Sequence, residues 1–421
     1  MNRNNLSESV RQSLHRFDPP FEAHYGVLPP RPPEDSVPLE NVAVPLANAH
    51  GALKEASVLA KELPDQYILS RIPMRMEALS SSSIEGTNST LDELLEVEED
   101  DADATDAASQ VRDYAIALER ILPLARENGR EIFTLDLISQ LHAATMQSDK
   151  AYQDAPGKFR KRVVWIGHGN IAQSTYNPPA PQHVQSCMQA HVAYLHADGM
   201  HVMTQDFITR MAIAHAHFEG VHPFRDGNGR VGRLLLAVMM AAEGHEPVYL
   251  SPFIEASKQR YYDALKAAQA RGDYSPLTIL LADAITETVH EFKRLRGDLH
   301  SLRDEWLTRA SFRAGSAALA TLNLLHEYPL LTIRRLEQLL GVSFPAASGA
   351  VDRLVQTGIL VEKTGYARNR IFTAPEAVKL LNRPFGETYE PVGSKDDCSR
   401  PGLPHSIRNR EWQVVQVCSI R

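Results

Sequence analysis

The stretch HPFRDGNGRVGR, residues 222–233, constrains the fold of this chain more than any other feature. It lies between two segments with helical apolar spacing, QDFITRMAIAHAHFEGV before it and RLLLAVMMAAEG after it. Gly227 and Gly229 permit a tight turn and a close approach of another group to the backbone. The second helix would begin at this turn, where the N–H groups of its first turn favour an anion. The stretch therefore predicts two helices joined by an anion-binding loop.

Side chains in and beside this loop supply the groups that phosphoryl chemistry needs. Arg230 and Arg233 are three residues apart, which places them on one face of the second helix, where both guanidinium groups could bind phosphates. Asp226 offers a carboxylate oxygen of the kind that Mg²⁺ takes when it bridges a nucleotide. His222, just ahead of the glycines, is placed to act as a general base. We therefore predict a phosphoryl or nucleotidyl transfer centre.

A second unusual stretch is SSSIEGTNST, residues 81–90. The preceding segment IPMRMEAL has helical spacing, and Gly86 is a good left-handed helix stop. A new helix is predicted to begin after Thr90, whose spacing to Glu93 is that of a capping box. Glu85 would then lie in the last turn of the first helix, where the helix dipole disfavours a carboxylate. We therefore expect Glu85 to have a cationic partner.

The loop at 222–233 resembles the signature of the Fic (Fido) family, H-x-F-x-[D/E]-G-N-G-R-x-x-R. Every fixed position is filled, by His222, Phe224, Asp226, Gly227, Asn228, Gly229, Arg230 and Arg233. So long a pattern is far more specific than a lone glycine-rich loop. The resemblance implies a mainly α-helical fold with a small β-hairpin flap, for which VVWIG (163–167) is the candidate. It also implies a protein adenylyltransferase, which moves AMP from Mg-ATP to a Ser, Thr or Tyr hydroxyl of a target protein and releases pyrophosphate.

The same resemblance implies a role for each residue of the motif. His222 would accept the proton of the target hydroxyl, Asp226 would hold Mg²⁺, and Phe224 would anchor the loop in the core. Asn228 and the amides around it would form the anion hole, while the two arginines would bind the β- and γ-phosphates of ATP. The implied ATP-binding residues are Gly227, Asn228, Gly229, Arg230, Val231, Gly232, Arg233, Tyr262 and Gln269. Asparagine is more usual than glutamine at the last of these positions, which leaves the identity of the base open.

The question of the partner of Glu85 is answered by a second resemblance. SSSIEG matches the inhibitory pattern of the family, [S/T]-x-x-x-E-[G/N], with Ser81 and Glu85 in the fixed positions. The match implies an N-terminal inhibitory helix whose glutamate pairs with Arg233. An arginine that is engaged in this way could not take the γ-phosphate, so the chain would inhibit itself.

Five regions are predicted along the chain. A proline-rich arm (1–37), extended over a domain, precedes a helical region with the inhibitory helix (38–115) and a Fic catalytic core (116–300). Residues 310–381 resemble a winged helix-turn-helix domain, and residues 382–421 form a flexible tail. The acidic run EVEEDDADATD (96–106) is typical of a solvated loop rather than a metal or basic-partner site.

The composition favours a globular protein in a reducing compartment. Of 421 residues, 43% are hydrophobic and 23% are charged, and the net charge of −8 argues against nucleic-acid binding by the whole surface. The N-terminal stretch has no apolar core of signal-peptide length, and no long apolar run follows. Cys187, Cys398 and Cys418 lack metal-ligand spacing. We therefore expect a cytoplasmic protein that does not bind a membrane.

Other functions remain open. The chain could be a winged-helix transcriptional regulator with the Fic core as a nucleotide sensor, or the same site could remove AMP or transfer another group. DNA binding has thin support, because the recognition helix offers only Arg353 beside Asp352, while Lys363, Arg368 and Arg370 lie on the wing. Homodimers are frequent in the family, so a second copy of the chain is a further candidate partner.

Overall fold

Helices dominate the computed structural model, which describes residues 1–35, 37–62, 71–100, 104–167, 169–199, 201–365 and 369–388. The α-helices are α1 (Glu8–Gln12), α2 (Leu39–Glu62), α3 (Arg71–Ile84), α4 (Leu91–Glu99), α5 (Asp106–Asn128), α6 (Leu135–Met146), α7 (Pro181–His196), α8 (His201–Thr204), α9 (Phe207–Val221), α10 (Asn228–Ala242), α11 (Ser251–Ala256), α12 (Lys258–Arg271), α13 (Ser275–Arg309), α14 (Ala317–Leu324), α15 (Ile333–Leu340), α16 (Phe344–Gln356) and α17 (Pro375–Leu381). The mainly helical fold class is confirmed for the described residues.

Within the described residues, the strands are short and antiparallel, and they form three small sheets. They are β1 (Leu14–Arg16) with β2 (Tyr25–Val27), β3 (Ile166–Gly167) with β4 (Ser174–Tyr176), and a sheet of β5 (Leu330–Thr332), β6 (Val361–Glu362) and β7 (Ile371–Thr373) in which β7 is central. The second pair is the predicted flap, and it is shorter than VVWIG. Trp165 is 2% exposed and packs with Phe17 and Ala180 instead of joining the strand.

Two helices at the centre of the predicted catalytic core position the loop at 222–233. All residues of α9 are buried, and α10 is buried from Asn228 to Ala241. Most of their residues are apolar, and a helix that is buried around its whole circumference needs other elements to surround it. Asp206 caps α9, since its carboxylate accepts a hydrogen bond of 2.8 Å from the backbone N–H of Ile208. The loop between α9 and α10 is thus carried by two rigid, enclosed helices.

The predicted inhibitory helix is α3, and its end follows the local signals in the sequence. The helix stops at Ile84, and Gly86 adopts a left-handed φ of 89°. The next helix, α4, begins with the predicted capping box of Thr90 and Glu93. Glu77, in the middle of α3, is 2% exposed and accepts hydrogen bonds from the Ser251 N–H and the Tyr114 hydroxyl at 2.7 and 3.1 Å. These contacts hold α3 against α5 and α11.

The proline-rich arm is not simply extended, contrary to the sequence-based expectation. It contains α1, which Ser7 caps, and a hairpin in which β1 and β2 pair across a connection of eight residues, 17–24. Leu6, Val10 and Val27 of the arm form a small apolar cluster with Tyr176 of the flap and Ala270 of α12. The arm therefore braces the flap.

The acidic run at 96–106 is partly helical, so its assignment to a solvated loop was wrong for its first residues. Glu96, Glu98 and Glu99 form the last turn of α4 and bind basic side chains from other elements. The local sequence does not contain those partners, which is why the run resembled a solvated loop.

Residues 317–381, which we call the C-terminal unit, have their own hydrophobic core. The order of helices and the final two strands agree with the pattern expected for a winged helix, with β5 and α17 as additional elements. The long helix α13 joins the catalytic core to the C-terminal unit, and its Trp306 is fully buried there. Residues from 389 onward, which include most of the predicted tail with Cys398 and Cys418, lie outside the described residues, as does Arg368 of the wing. Within the described ranges, no helix has the length and apolar character needed to cross a membrane.

Trp306 is expected to be a main source of stability for the C-terminal unit. It is 0% exposed, and its indole N–H donates a 2.7 Å hydrogen bond to Glu376. Trp306→Ala should lower the free energy of unfolding by about 3 to 5 kcal/mol, because truncation of a buried aromatic side chain leaves a cavity. Trp306→Phe keeps most of the ring volume and should cost less. Denaturant titration followed by circular dichroism checks this order, and equal losses in the two variants would contradict it.

Candidate active site

The loop between α9 and α10 has a fixed backbone. His222 ends α9 in a left-handed conformation with φ 50° and ψ 62°, and Gly227 begins α10 with φ 77°. The Asn228 side chain accepts a hydrogen bond from the Phe224 N–H at 2.9 Å and donates one to the Phe224 carbonyl at 3.0 Å. These two bonds hold the Asn228 side chain against the loop backbone. The Asn228 backbone N–H lies at the start of α10, and its part in an anion hole stays a prediction.

Phe224 anchors the loop in the core, and the His142 ring packs against the Phe224 ring. Phe224 is fully buried and stacks on the His142 ring, with ring centroids 3.7 Å apart. His142 accepts from the Gly157 N–H through Nδ1 at 2.8 Å, so its Nε2 donates to the Asp226 carbonyl at 3.0 Å. Burial lowers the pKa of His142 to about 4, which keeps this tautomer neutral. The sequence analysis missed His142, which lies 80 residues before the loop.

Arg160 is a second residue that the sequence analysis missed. It is 4% exposed, and its guanidinium donates to the His222 carbonyl at 2.8 Å, the Val221 carbonyl at 3.2 Å and the Pro179 carbonyl at 2.7 Å. Burial lowers the pKa of Arg160 to about 9, so the group stays charged at neutral pH. Hydrogen bonds from a charged donor are the stronger kind. Arg160 thus fixes the backbone on which the His222 side chain stands.

The His222 side chain lies in a buried setting that keeps it neutral. The residue is 7% exposed, and its Nδ1 lies 3.9 Å from the nearest Glu219 carboxyl oxygen, with no hydrogen-bond partner among the described residues. Burial, reinforced by the charge of Arg160, lowers the pKa of His222 to about 4. Burial together with the negative charge of Glu85 raises the pKa of Glu219 to about 8. A neutral imidazole in this position can accept a proton.

Glu85 has the cationic partner that its position at a helix end required. Arg233 donates to the Glu85 carboxylate at 2.8 Å, to the Ser81 hydroxyl at 2.9 Å and to the Ser81 carbonyl at 2.8 Å. The Arg233 side chain is 1% exposed, and the Glu85 side chain is 30% exposed. Burial alone would raise the pKa of Glu85, but the charge and hydrogen bond of Arg233 outweigh burial and lower it. Glu85 is therefore ionised and holds Arg233.

The Glu85 carboxylate also lies over the first turn of α10. A Cβ atom at position 229 would clash with this carboxylate, so Gly229 allows the Glu85 side chain to lie directly against the helix backbone. Gly227 provides no side-chain cap, which leaves the N–H groups of the turn available. A negative charge is favourable at this end of a helix. Glu85 consequently occupies part of the place where an anion such as a phosphate would bind.

The two arginines of the motif contact different elements, although their spacing places them on one face of α10. Arg230 is 3% exposed and donates to the Gln110 side chain of α5 at 3.2 Å. Its guanidinium also lies 3.9 Å from the Asp149 carboxylate, whereas Arg233 turns toward α3. The expected pair of neighbouring guanidinium groups is thus divided between two sides of the loop.

The remaining predicted residues lie around the same helices. Val231 and Gly232 are buried within α10, and Gly232 accepts a hydrogen bond at 3.2 Å from the His215 ring, whose other nitrogen bonds the Tyr261 hydroxyl at 2.8 Å. Tyr262 is 37% exposed on α12, with the Lys258 ammonium 5.9 Å from its ring centroid. Gln269 follows two turns later, which places it on the same helix face as Tyr262.

The residues present fit a magnesium ion only if phosphates complete its coordination. Asp226 is exposed beside the start of α10, and the described residues contain no group of three or more His, Cys, Asp and Glu that could hold a metal. Mg²⁺ is commonly held by one or two carboxylates, substrate phosphates and water. The donor set thus suits an ion that arrives with a nucleotide.

Similarity to known proteins extends over both α3 and the loop at 222–233. Residues 132–240 match the family model Fic/DOC family, and residues 44–121 match the model Fic/DOC family N-terminal. Protein adenylyltransferase Fic of Drosophila erecta is 32% identical over 143 residues, 34% of this chain and 26% of that protein. The Culex quinquefasciatus protein of the same name is 28% identical over 162 residues, 38% of this chain and 29% of that protein. The matches therefore span little more than a quarter of these relatives.

Among solved structures, a Fic family protein from Desulfovibrio desulfuricans G20 aligns over 80% of this chain and 96% of its own. The TM-score is 0.49 at 18% sequence identity. Fic-1 from C. elegans aligns over 62% of this chain and 73% of its own, with a TM-score of 0.47 at 24% identity.

The imidazole of His222 is expected to titrate far below an exposed histidine. Its pKa in the folded chain is about 4 against 6.5 unperturbed. Because the unfolded chain takes up this proton at the higher pH, the neutral ring stabilises the fold above about pH 6.5, and this contribution is lost as the pH falls toward 4. NMR of ¹³C-labelled histidines, with His222→Gln to assign the resonance, measures the pKa. The same ring in the denaturant-unfolded protein supplies the reference, and an equal pKa of His222 in the folded and unfolded states would contradict the prediction.

Proposed function

We propose that this chain, which matches the Fic/DOC family model over residues 132–240 and the Fic/DOC family N-terminal model over residues 44–121, is a self-inhibited protein adenylyltransferase. Its substrates would be Mg-ATP and a Ser, Thr or Tyr hydroxyl of a target protein, which can be the chain itself. The observation that carries the proposal is the contact of Arg233 with Glu85 and Ser81, beside a loop with the complete motif. The similarity to proteins named adenylyltransferases supports the reaction type.

In the proposed reaction, the target hydroxyl oxygen attacks the α-phosphorus of ATP. A new phosphorus–oxygen bond forms to the target, and the bond from the α-phosphorus to the bridging oxygen of pyrophosphate breaks. His222, which is neutral at pH 7, accepts the hydroxyl proton. Arg160 holds the backbone of His222, which keeps the ring in place without a reorganisation during the reaction.

Groups on α10 would bind the negatively charged phosphates of the nucleotide. The free N–H groups of its first turn suit an oxyanion, and Arg233 suits the γ-phosphate once Glu85 has left. Asp226 would hold Mg²⁺, which when bound would neutralise charge on the phosphates. Tyr262 and Gln269 on α12 would contact the base. While Glu85 holds Arg233, the γ-phosphate lacks its partner, and ATP would bind in a pose unsuited to attack.

Particular residues favour transfer of AMP over transfer of another group and over a DNA-binding regulator. Gly227, Asn228 and Gly229 are intact, unlike in the kinase-like branch of the family. A regulator that binds DNA through its wing would need cations that are available to phosphates. Here Lys363 forms an ion pair with Glu96, and Arg370 forms one with Glu362. DNA binding and a homodimer remain predictions of lower support, as does removal of AMP by the same site.

Glu85→Gly is expected to raise transfer of AMP onto the protein itself. If the contact with Arg233 disfavours the productive pose by ~2 to 3 kcal/mol, release should increase labelling by roughly thirtyfold or more. Incubation with α-³²P-ATP and Mg²⁺ measures the label, and Glu22→Gly, at an exposed turn, is the matched control. Equal rates in wild type and Glu85→Gly would remove the inhibitory role.

The double variant Glu85→Gly, His222→Ala tests the chemistry in the same assay. It should bind ATP but show no label, because the proton acceptor is missing. Absence of label in all variants, with ATP bound, would contradict the transferase and favour a nucleotide sensor or another donor nucleotide.

Arg160→Met in the Glu85→Gly background is expected to slow transfer without loss of nucleotide affinity. The His222 backbone would lose its donors, and a small misplacement of a catalytic group costs roughly tenfold to hundredfold in rate. The nucleotide contacts lie on α10 and α12, so the dissociation constant for ATP should change by less than about twofold. Arg162→Met, an exposed neighbour, is the control. A rate that matches this control would exclude a positioning role for Arg160.

A further inference from the structure

The inhibitory helix α3 is shared between two hydrophobic cores. Its residues Met74, Ala78 and Ile84 pack into the core of the catalytic domain. Ile72, in the first turn of the same helix, packs instead with Leu91 of α4, with residues of α13 and with the core of the C-terminal unit. A movement of the C-terminal unit would therefore act directly on the helix that precedes Glu85.

Two buried arginines tie the first half of α3 to α4. Arg71 and Arg75 are 9% and 6% exposed, and both donate to the Glu98 carboxylate, at 2.7 and 2.8 Å. Arg71 also donates to the carbonyl of Glu327, and its guanidinium lies 4.1 Å from the centroid of the Tyr328 ring. Glu327 and Tyr328 belong to the C-terminal unit, so the helix start is held from two sides.

The next residue of α4 is held by the C-terminal unit. The Glu99 side chain is 2% exposed, accepts from the Arg335 guanidinium at 2.9 Å and accepts from the Thr332 N–H and hydroxyl at 3.2 and 3.0 Å. Lys363 of the C-terminal unit binds Glu96 on the same turn. Adjacent glutamates of one helix thus face opposite neighbours, Glu98 toward α3 and Glu99 toward α15.

We propose that the C-terminal unit regulates the active site by holding α3, through α4, in the position where Glu85 blocks Arg233. A buried ion pair fixes geometry strongly, because loss of one partner leaves a buried charge uncompensated. Arg75 lies ten residues before Glu85, about 15 Å along a rigid helix, so a change in the tilt of α3 displaces the carboxylate. A partner or ligand that shifts the C-terminal unit would thereby release inhibition. The regulatory role rests on the proposed transferase function, but the structural coupling does not.

Arg335→Met in the full chain tests the proposal, with Arg334→Met as the matched control at an exposed neighbouring position. Hydrogen exchange is measured at the N–H groups of Glu85, Gly86 and Thr87, which bond to the carbonyls of Ser82 and Ser83. Exchange should accelerate at least about fivefold in Arg335→Met and stay unchanged in Arg334→Met. Unchanged exchange in a folded Arg335→Met protein would overturn the coupling. Lys363→Met, a milder change on the same network, should shift exchange in the same direction and serves if Arg335→Met does not fold.

The labelling assay with α-³²P-ATP separates the coupling from the proposed function. Arg335→Met should raise self-labelling at least about fivefold over wild type, and it should add nothing when Glu85→Gly is already present, because the inhibitory carboxylate is then gone. An equal increase in both backgrounds would overturn regulation through Glu85. If Glu85→Gly itself gives no label, the transferase function fails, while faster exchange in Arg335→Met still establishes that the C-terminal unit holds α3.

Discussion

The structure depends on the burial of the Arg233 charge. A guanidinium that is almost excluded from solvent must be paired, because an isolated charge in the interior is very unfavourable. Here Ser81 and Glu85 supply the acceptors, and both lie at the end of α3. The close approach of the end of α3 to α10 and the position of the Glu85 carboxylate at the α10 N-terminus are consistent with that requirement. The same requirement explains how a phosphate could take the place of the carboxylate: it offers the arginine an equivalent partner.

The ionisation states around the loop form a consistent set. His222 is kept neutral by burial and by the nearby Arg160, and Glu219 is kept protonated by burial and by Glu85. Glu85 stays ionised only because Arg233 is beside it. The Glu85 carboxylate is thus part of the electrostatic environment of His222 and also lies against the first turn of α10. The position of α3, which Glu85 directly follows, therefore affects the pKa values of His222 and Glu219.

The acidic last turn of α4 connects α3 to the C-terminal unit. Its glutamates are held by arginines of α3 on one side and by Arg335 and Lys363 of the C-terminal unit on the other. Lys363 and Arg370 of the predicted wing are therefore ion-paired within the chain. Helix α3 contributes residues to both cores, which gives the C-terminal unit a physical route to the candidate site.

Local rules in the sequence determined a large part of this protein. The spacing of apolar residues placed α9 and α10, Gly86 and the capping box of Thr90 placed the ends of α3 and α4, and the helix dipole required a cation near Glu85. The motif at 222–233 identified the residues of the candidate site. Only the tertiary structure decided that the Asn228 side chain holds the loop, that Arg230 and Arg233 diverge, and that Arg160 fixes His222. It also decided that Glu98 and Glu99 join α3 to the C-terminal unit. These contacts join residues that are far apart in the chain, and their partners are chosen by packing, which no local pattern of residues encodes.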